Sequence, residues 1–171
     1  MIQEQNSYAG FTNKLLAAKA EKICVAYHRM ERFFPKDKIV LTGNPVRQDL
    51  FEVKAKDAEA YRFFNFTSEK KTLLIVGGSL GARTVNQSII AGLELLSKTD
   101  IQIIWQTGKF YFEEAKKASK PFENSNILVT DFVSRMDYAY AIADLVISRA
   151  GASSISELCL LKKPTILVPS P

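Results

Sequence analysis

The sequence predicts an α/β fold in which a parallel sheet is covered by helices on both faces. From residue 72 onward, short apolar runs alternate with segments of helical periodicity, and the apolar runs contain few interleaved polar residues. Such runs are typical of strands buried on both faces, and their alternation with helices is typical of βαβ units. Right-handed crossovers would wind these units into a Rossmann-like, doubly wound parallel sheet.

Five strands and four helices are predicted in this region. The predicted strands are Thr72 to Val76, Ile101 to Trp105, Ile127 to Val129, Leu145 to Ile147 and Thr165 to Val168. The predicted helices are Ala82 to Leu96, Phe110 to Ala118, Arg135 to Ala143 and Ser154 to Leu161. Ligands of doubly wound sheets bind at the carboxyl ends of the strands. The segments that follow those ends are Gly77 to Gly81, Thr107 to Gly108, Asp131 to Val133 and Arg149 to Ser153.

The first fifty residues contain fewer elements, too few for a domain of their own. They predict a helix near Gly10 to Ala20, strands at Ile23 to Tyr27 and Ile39 to Leu41, and a turn at Gly43-Asn44-Pro45. A charged connection, Glu52 to Lys56, and a short helix near Ala58 to Phe64 follow. The sequence stops at Pro169-Ser170-Pro171, directly after a strand, so we expect a fragment cut at both ends.

Composition limits the class of protein. With 171 residues, 47% of them hydrophobic, the chain can form one ordinary core. Its apolar runs are too short to span a bilayer and Met1 to Gly10 lacks the pattern of a signal peptide, so we expect a cytosolic location. Cys24 and Cys159 have no metal-binding spacing and predict reduced, buried thiols. The net charge of +5 suits an anionic partner such as a nucleotide, acidic lipid headgroups or nucleic acid.

The segment Leu73 to Arg83, LLIVGGSLGAR, predicts a strand, a tight glycine turn and a helix start. Glycines allow positive φ and a close approach to bare backbone, and the first N–H groups of a helix attract anions. Gly78, Ser79 and Gly81 are therefore candidate contacts for a phosphate. The alternative interpretation is a glycine turn that serves packing alone.

A second strand, glycine and helix segment runs from Ser148 to Glu157 and includes Gly151 and Ala152. The two oxygens of the Glu157 carboxylate could accept hydrogen bonds from both hydroxyls of a ribose. The spacing Ser154-x-x-Glu157 equally fits a capping box, in which each side chain satisfies a free backbone N–H of the other residue. The spacing alone favours neither interpretation.

Two segments of the first fifty residues also carry candidate ligand contacts. Arg47 follows the turn Gly43-Asn44-Pro45, and its planar guanidinium could bind two oxygens of a diphosphate, although a surface arginine is the simpler interpretation. Glu4-Gln5-Asn6 is a polar cluster before a helix, where a helix cap is the simpler interpretation. We found no set of residues for a metal site or a nucleophilic triad.

Taken in order, these motifs resemble the MurG family of bacterial peptidoglycan N-acetylglucosaminyltransferases over nearly the whole chain. The resemblance rests on Glu4-Gln5-Asn6 with Ala9-Gly10 and Thr12-Asn13, Gly43 to Arg47, Gly77 to Arg83, and Arg149 to Glu157. It implies a two-domain GT-B enzyme, with residues 1–50 a remnant of the amino-terminal acceptor domain. Residues 51–171 would then be a truncated carboxyl-terminal domain that binds the UDP-sugar.

The resemblance also implies an activity. The family transfers N-acetylglucosamine, with inversion and without a metal or other cofactor, from UDP-N-acetylglucosamine to lipid I, which gives lipid II. This implies a peripheral enzyme on the cytoplasmic face of the inner membrane, with an anionic membrane surface and no nucleic acid among its partners. The glycine-rich loops and histidine of the amino-terminal domain, and a glutamine segment beyond Pro169, are missing. We therefore expect no turnover by this chain alone.

Residue roles follow from the same resemblance. Glu157 would bind the ribose, Ser79 and Arg47 the diphosphate, and the backbone of Val133 the uracil, with Asn6 facing the transferred sugar. The family's His-Glu-Gln-Asn reads Gln3-Glu4-Gln5-Asn6 here. Two alternatives stay open: another UDP-sugar enzyme of this architecture, such as an epimerase, or a basic module that binds nucleotides or nucleic acid without catalysis.

Overall fold

The computed structural model describes residues 1–78, 80–122 and 126–169. These residues form two compact units. The first unit comprises Met1–Val46 together with Gly151–Ser156, and the second comprises Arg47–Ala150 together with the chain from Glu157 onward. Each unit has its own sheet and its own core.

The first unit contains a parallel sheet whose strands in the described residues have the order β1-β2-β3. The strands are β1 (Ile2–Glu4), β2 (Ile23–Val25) and β3 (Ile39–Leu41). β1 was not predicted, because three residues of which only the first is apolar carry no strand pattern. It pairs with β2 from Ile2 opposite Ile23 to Glu4 opposite Val25.

Helix α1 (Phe11–Leu16) is shorter than the predicted helix from Gly10 to Ala20. The ammonium group of Lys38 donates hydrogen bonds to the backbone oxygens of Ala17 and Ala18, at 3.4 and 2.7 Å. These carbonyls lie just beyond the helix end, where they have no partner within the helix.

The core of this unit consists of Ala9, Ala17, Ala20, Ile23, Val25, Met30 and Phe34.

The second unit confirms the predicted doubly wound sheet. Its strands run parallel in the order β6-β5-β4-β7-β8 within the described residues. They are β4 (Lys71–Val76), β5 (Ile101–Gln106), β6 (Ile127–Thr130), β7 (Leu145–Arg149) and β8 (Thr165–Val168). The helices are α2 (Ala58–Phe64), α3 (Arg83–Ser97), α4 (Phe112–Ser119), α5 (Met136–Ile142) and α6 (Ala152–Leu160). The part of α6 from Ala152 to Ser156 belongs to the first unit.

Both faces of this sheet are covered, which explains the unalternating strands. Leu73 and Ile75 of β4 belong to a cluster with Val85 and Leu93 of α3. Leu74, between them on β4, belongs to another cluster, in which the helical residues are Ala60, Tyr61 and Phe64 of α2, Ala139 to Ile142 of α5 and Leu158 of α6. Because successive side chains of a strand point to opposite faces, every position of a strand covered on both sides can be apolar.

One expectation about the cysteines is wrong. Cys24 and Cys159 are both free thiols, as predicted, but Cys24 is only partly buried and Cys159 is exposed. Cys159 lies near the carboxyl end of α6, on a helix of which Leu158 is the buried residue. An apolar stretch of sequence thus contained positions on the outer side of a helix as well as on its inner side.

Candidate functional site

The loop between β4 and α3 has the backbone that its glycines predict. Gly78 and Gly81 have φ values of +79° and +94°, in the left-handed region that side chains disfavour. Gly77 continues the sheet, since its N–H donates to the backbone oxygen of Gln106 at 3.0 Å. A Cβ at Gly77 would lie only 3.1 Å from that oxygen. The candidate contact Ser79 lies outside the described residues.

The loop after β5 packs directly on this glycine turn. Gly108, with φ +77°, lies so close to Gly81 that a Cβ at Gly108 would collide with the Gly81 backbone. A Cβ at Gly81 would in turn collide with the Tyr111 ring and the backbone oxygen of Thr107. The two glycines therefore allow two backbone segments to touch at the carboxyl edge of the sheet.

A buried amide holds these two segments in place. Asn86 of α3 is fully buried, and its Nδ2 donates to the backbone oxygen of Thr107 at 2.7 Å. Its Oδ1 accepts a hydrogen bond from Nε1 of Trp105 at 3.0 Å. Because a buried polar group without a partner is costly, this network fixes α3 against the end of β5.

The glycine turn borders an open cavity of about 490 Å³ at the carboxyl ends of β4 and β7. Helix α3 begins beside it, and Ala82, which precedes the helix, supplies no capping side chain. The first N–H groups of α3 are therefore available to an anion. The residues that line the cavity are Gly77, Gly81, Ala82, Arg83, Thr84, Tyr111 and Arg149.

Arg47 and Glu157 lie close together in the second unit. Nε of Arg47 is 3.8 Å from Oε1 of Glu157 and 3.5 Å from Oδ1 of Asp49. The Arg47 side chain is 47% exposed and that of Glu157 only 17%. The other oxygen of Glu157, Oε2, accepts a hydrogen bond from the hydroxyl of Tyr140 at 3.3 Å.

The capping-box interpretation of Ser154 and Glu157 is wrong. Helix α6 begins at Ala152, and the N–H of Ile155 already donates to the backbone oxygen of Gly151 at 2.9 Å. Ser154 is therefore inside the first turn and is not the residue that precedes the helix. The Glu157 carboxylate instead meets Tyr140 and Arg47, which are distant in sequence.

Val133 lies three residues beyond the carboxyl end of β6. The whole residue is 4% exposed, and its side chain packs in the core cluster that contains residues of α2 and α5. The preceding residue Phe132 is 61% exposed, and its carbonyl accepts a hydrogen bond from the Thr130 hydroxyl at 2.9 Å. The assigned contact of the Val133 backbone with the uracil stays a prediction.

The remaining candidates, Asn6, Gly151 and Ala152, belong to the first unit. Asn6 is exposed, and its amide Nδ2 donates to Oε1 of Glu4 at 3.3 Å. Gly151 is also exposed, and Ala152 is the first residue of α6. Their assigned contacts with a ligand stay predictions.

Sequence reasoning did not identify Tyr140 or Tyr111 as site residues. Tyr140 sits within the apolar pattern of α5, which gives no sign that its hydroxyl faces a carboxylate. Tyr111 lines the cavity at the glycine turn. Tyr140 contacts Glu157, and the Tyr111 ring packs beside Gly81. Because these partners are distant in sequence, residue spacing does not reveal the contacts.

Two features of the described residues limit the class of site. No group of three or more histidine, cysteine, aspartate or glutamate side chains in this part of the chain could hold a metal ion. Among the helices that the structure describes, none combines the length and apolar composition needed to cross a membrane.

Comparison with known proteins gives a family match. Residues 72–171 match the model of the glycosyltransferase family 28 C-terminal domain. A UDP-N-acetylglucosamine--N-acetylmuramyl-(pentapeptide) pyrophosphoryl-undecaprenol N-acetylglucosamine transferase of Parabacteroides distasonis is 64% identical over 171 residues, and the protein of the same name from Bacteroides fragilis is 62% identical over 173. The matches cover all of this chain and 46% of each relative, so the chain spans less than half their length.

Solved structures agree with this match. The crystal structure of Acinetobacter baumannii MurG superposes with a TM-score of 0.67 at 29% identity, over 99% of this chain and 46% of that one. A glycosyltransferase of kitacinnamycin has a TM-score of 0.56 at 14% identity, over 90% of this chain and 37% of that one, which indicates a shared fold.

Proposed function

This chain belongs to glycosyltransferase family 28, and on that basis we propose that it carries the donor-nucleotide site of a UDP-N-acetylglucosamine-dependent transferase. The proposal takes its donor from the names of the relatives that are 64% and 62% identical to the chain. The whole protein would transfer N-acetylglucosamine, with inversion, to the undecaprenol-linked muramyl acceptor lipid I. Like the family, it would work at the cytoplasmic face of an anionic membrane, with no nucleic acid as partner.

The observation that carries the proposal is the bare backbone beside the start of α3. Gly78 and Gly81 have positive φ, and the cavity beside the turn is lined by Gly77 and Gly81, by the residues at the start of the helix, and by Tyr111 and Arg149. An anion there would meet the first N–H groups of α3 and the positive end of its helix dipole. We assign the diphosphate of UDP to this place.

Arg47 and Glu157 support the rest of the assignment. The guanidinium of Arg47 can bind two phosphate oxygens at once, and its present partners, at 3.5 and 3.8 Å, are longer than hydrogen-bonded ion pairs. It can therefore exchange them for a phosphate at small cost. Glu157 keeps its carboxylate near the same guanidinium, where we assign it to the two hydroxyls of the ribose, with the uracil against the backbone of Val133.

In the complete enzyme, the acceptor hydroxyl would attack the anomeric carbon while UDP departs with increasing negative charge. Preorganised donors aimed at that charge lower the barrier, and loss of one commonly costs roughly 100-fold or more in rate. Arg47 and the amino end of α3 are the groups of this chain that would supply that stabilisation. The base that accepts the hydroxyl proton is not assigned to this chain, which by itself should bind donor without turnover.

Titration calorimetry with UDP tests the proposal. Wild type should bind UDP and not ATP, and Glu157→Ala should weaken UDP binding roughly 10- to 100-fold, because a hydrogen bond to a charged group contributes about 1.5–3 kcal/mol. Glu94→Ala removes an exposed glutamate of α3 that pairs with Lys98, and serves as the matched control with wild-type affinity. Equal affinities of wild type and Glu157→Ala would refute the ribose assignment, and binding without nucleotide selectivity would refute the donor site.

A further inference from the structure

The Tyr140 hydroxyl occupies a fixed position beside the candidate ribose-binding carboxylate. Tyr140 is 4% exposed, and its ring packs in the cluster that contains Leu74, Ile104 and Leu158. Because the ring and its neighbours on the helix, Ala139, Ala141 and Ile142, are buried, the hydroxyl has little freedom to move. It donates to Oε2 of Glu157 at 3.3 Å.

This hydroxyl remains a donor at neutral pH. Burial raises the pKa of Tyr140 above its ordinary value, and the charge of Glu157 and the hydrogen bond to it raise the pKa further, while Arg47 acts in the opposite direction. A proton on Tyr140 is thus always available to Oε2. The hydrogen bond is longer than the usual O–H···O distance of about 2.7 Å, and it has room to shorten when a ligand orders the site.

The two oxygens of Glu157 consequently have different surroundings. Oε2 is anchored by Tyr140, whereas Oε1 faces Arg47 across 3.8 Å. A glutamate side chain has three rotatable bonds, and recognition of two adjacent hydroxyls requires both carboxylate oxygens in one orientation. An anchor on one oxygen removes part of the entropy that such ordering would otherwise cost at binding.

We propose that Tyr140 is a positioning residue that orients the Glu157 carboxylate toward the vicinal hydroxyls of the donor ribose. This proposal rests on the proposed nucleotide site. It further implies that the site selects nucleotides with ribose over those with deoxyribose. Tyr140 itself need not touch the nucleotide, because it acts through Oε2 of Glu157.

The test compares UDP with 2′-deoxy-UDP in calorimetry of wild type and Tyr140→Phe, a change that keeps the ring and removes only the hydroxyl. Wild type should prefer UDP. In Tyr140→Phe the affinity for UDP should fall roughly 3- to 10-fold, the range of one hydrogen bond, and that for 2′-deoxy-UDP less than about 2-fold. A general loss of structure would weaken the binding of both nucleotides alike and leave the ratio of the two affinities unchanged.

Tyr138→Phe is the matched control. Tyr138 lies on the same helix, but its ring packs against Phe63 and under the Arg135 guanidinium. It should leave both affinities and their ratio at the wild-type values. In a Glu157→Ala background, Tyr140→Phe should have no further effect on UDP binding, because the group that it orients is gone.

The outcomes separate this inference from the function on which it rests. If wild type prefers UDP and Tyr140→Phe retains the same preference, the positioning role is refuted and the nucleotide site stands. If wild type does not bind UDP, or binds both nucleotides equally, the proposed ribose contact of Glu157 fails, and the role of Tyr140 fails with it.

Discussion

Glu4 is 2% exposed, yet it is surrounded by donors that make a buried carboxylate stable. Oε1 accepts from the backbone N–H of Asn6 at 3.0 Å, and Oε2 accepts from the N–H of Gly10 at 2.8 Å and from Nδ2 of Asn13 at 3.0 Å. Burial acts to raise the pKa of Glu4, but the hydrogen bonds from Asn13, Gly10 and Asn6 outweigh it and lower the pKa. The carboxylate thus organises the loop that presents Asn6.

The lowered pKa predicts a pH-dependent stability of the first unit. The ordinary pKa is 4.5, so the contribution of Glu4 is present above that value and is lost as the pH falls through the lower pKa of the folded state. Glu4→Gln should lower the free energy of unfolding by about 1.5–3 kcal/mol near pH 7, because the amide nitrogen cannot accept these hydrogen bonds. The difference from wild type should shrink near pH 3.

Urea unfolding followed by the amide signals of Ile23 and Val25, in the core of the same unit, measures this effect. Glu21→Gln changes an exposed glutamate of that unit and is the control. A difference between wild type and Glu4→Gln that is the same at both pH values would contradict the assigned role of the carboxylate.

At the scale of elements, the sequence predicted those features of the fold that depend on a local pattern of residues. The strands and helices from residue 72 onward follow from periodicity, and the positive φ of Gly78 and Gly81 follows from glycine itself. The start of α6 was misplaced, because Ser154-x-x-Glu157 imitates a cap while the real partners of Glu157 are Tyr140 and Arg47. Contacts between residues distant in the chain leave no such local pattern.

The contact between the β4–α3 loop and the loop after β5 gives a prediction at the scale of elements. Gly78→Ala and Gly81→Ala both impose a left-handed φ on a side chain, at a cost of about 1–2 kcal/mol. Gly78 has open space where a Cβ would lie, whereas Gly81 would collide with Tyr111 and Thr107. Gly81→Ala should therefore destabilise the second unit by about 1–3 kcal/mol more than Gly78→Ala does. It should also weaken UDP binding more than Gly78→Ala does.

Fluorescence of the single tryptophan reports this difference during urea unfolding, since Trp105 is fully buried in the same unit. Because the two variants share the backbone strain, their difference isolates the steric contact. Equal unfolding midpoints for Gly78→Ala and Gly81→Ala would show that the loops do not depend on that contact.

At the scale of the whole molecule, charge alone would favour a different place for an anion. Lys56 and Lys71 pair with Asp144, at 2.7 and 3.2 Å, at the amino end of β4 and β7. Nearby, burial and the charge of Lys56 lower the pKa of Lys163. An unselective polyanion would be attracted to these lysines, whereas a nucleotide diphosphate is expected at the opposite edge of the sheet, where the glycine turn lies.

The most direct test is an NMR titration of the chain with UDP, in which the amide signals show where the nucleotide binds. The account predicts saturable shifts at the carboxyl edge of the second sheet, in Gly77, Gly81, Ala82, Val133 and Glu157, with Lys56, Lys71 and Lys163 unaffected. Shifts centred on those lysines, or no saturable shift in any of these residues, would contradict a donor site at the glycine turn.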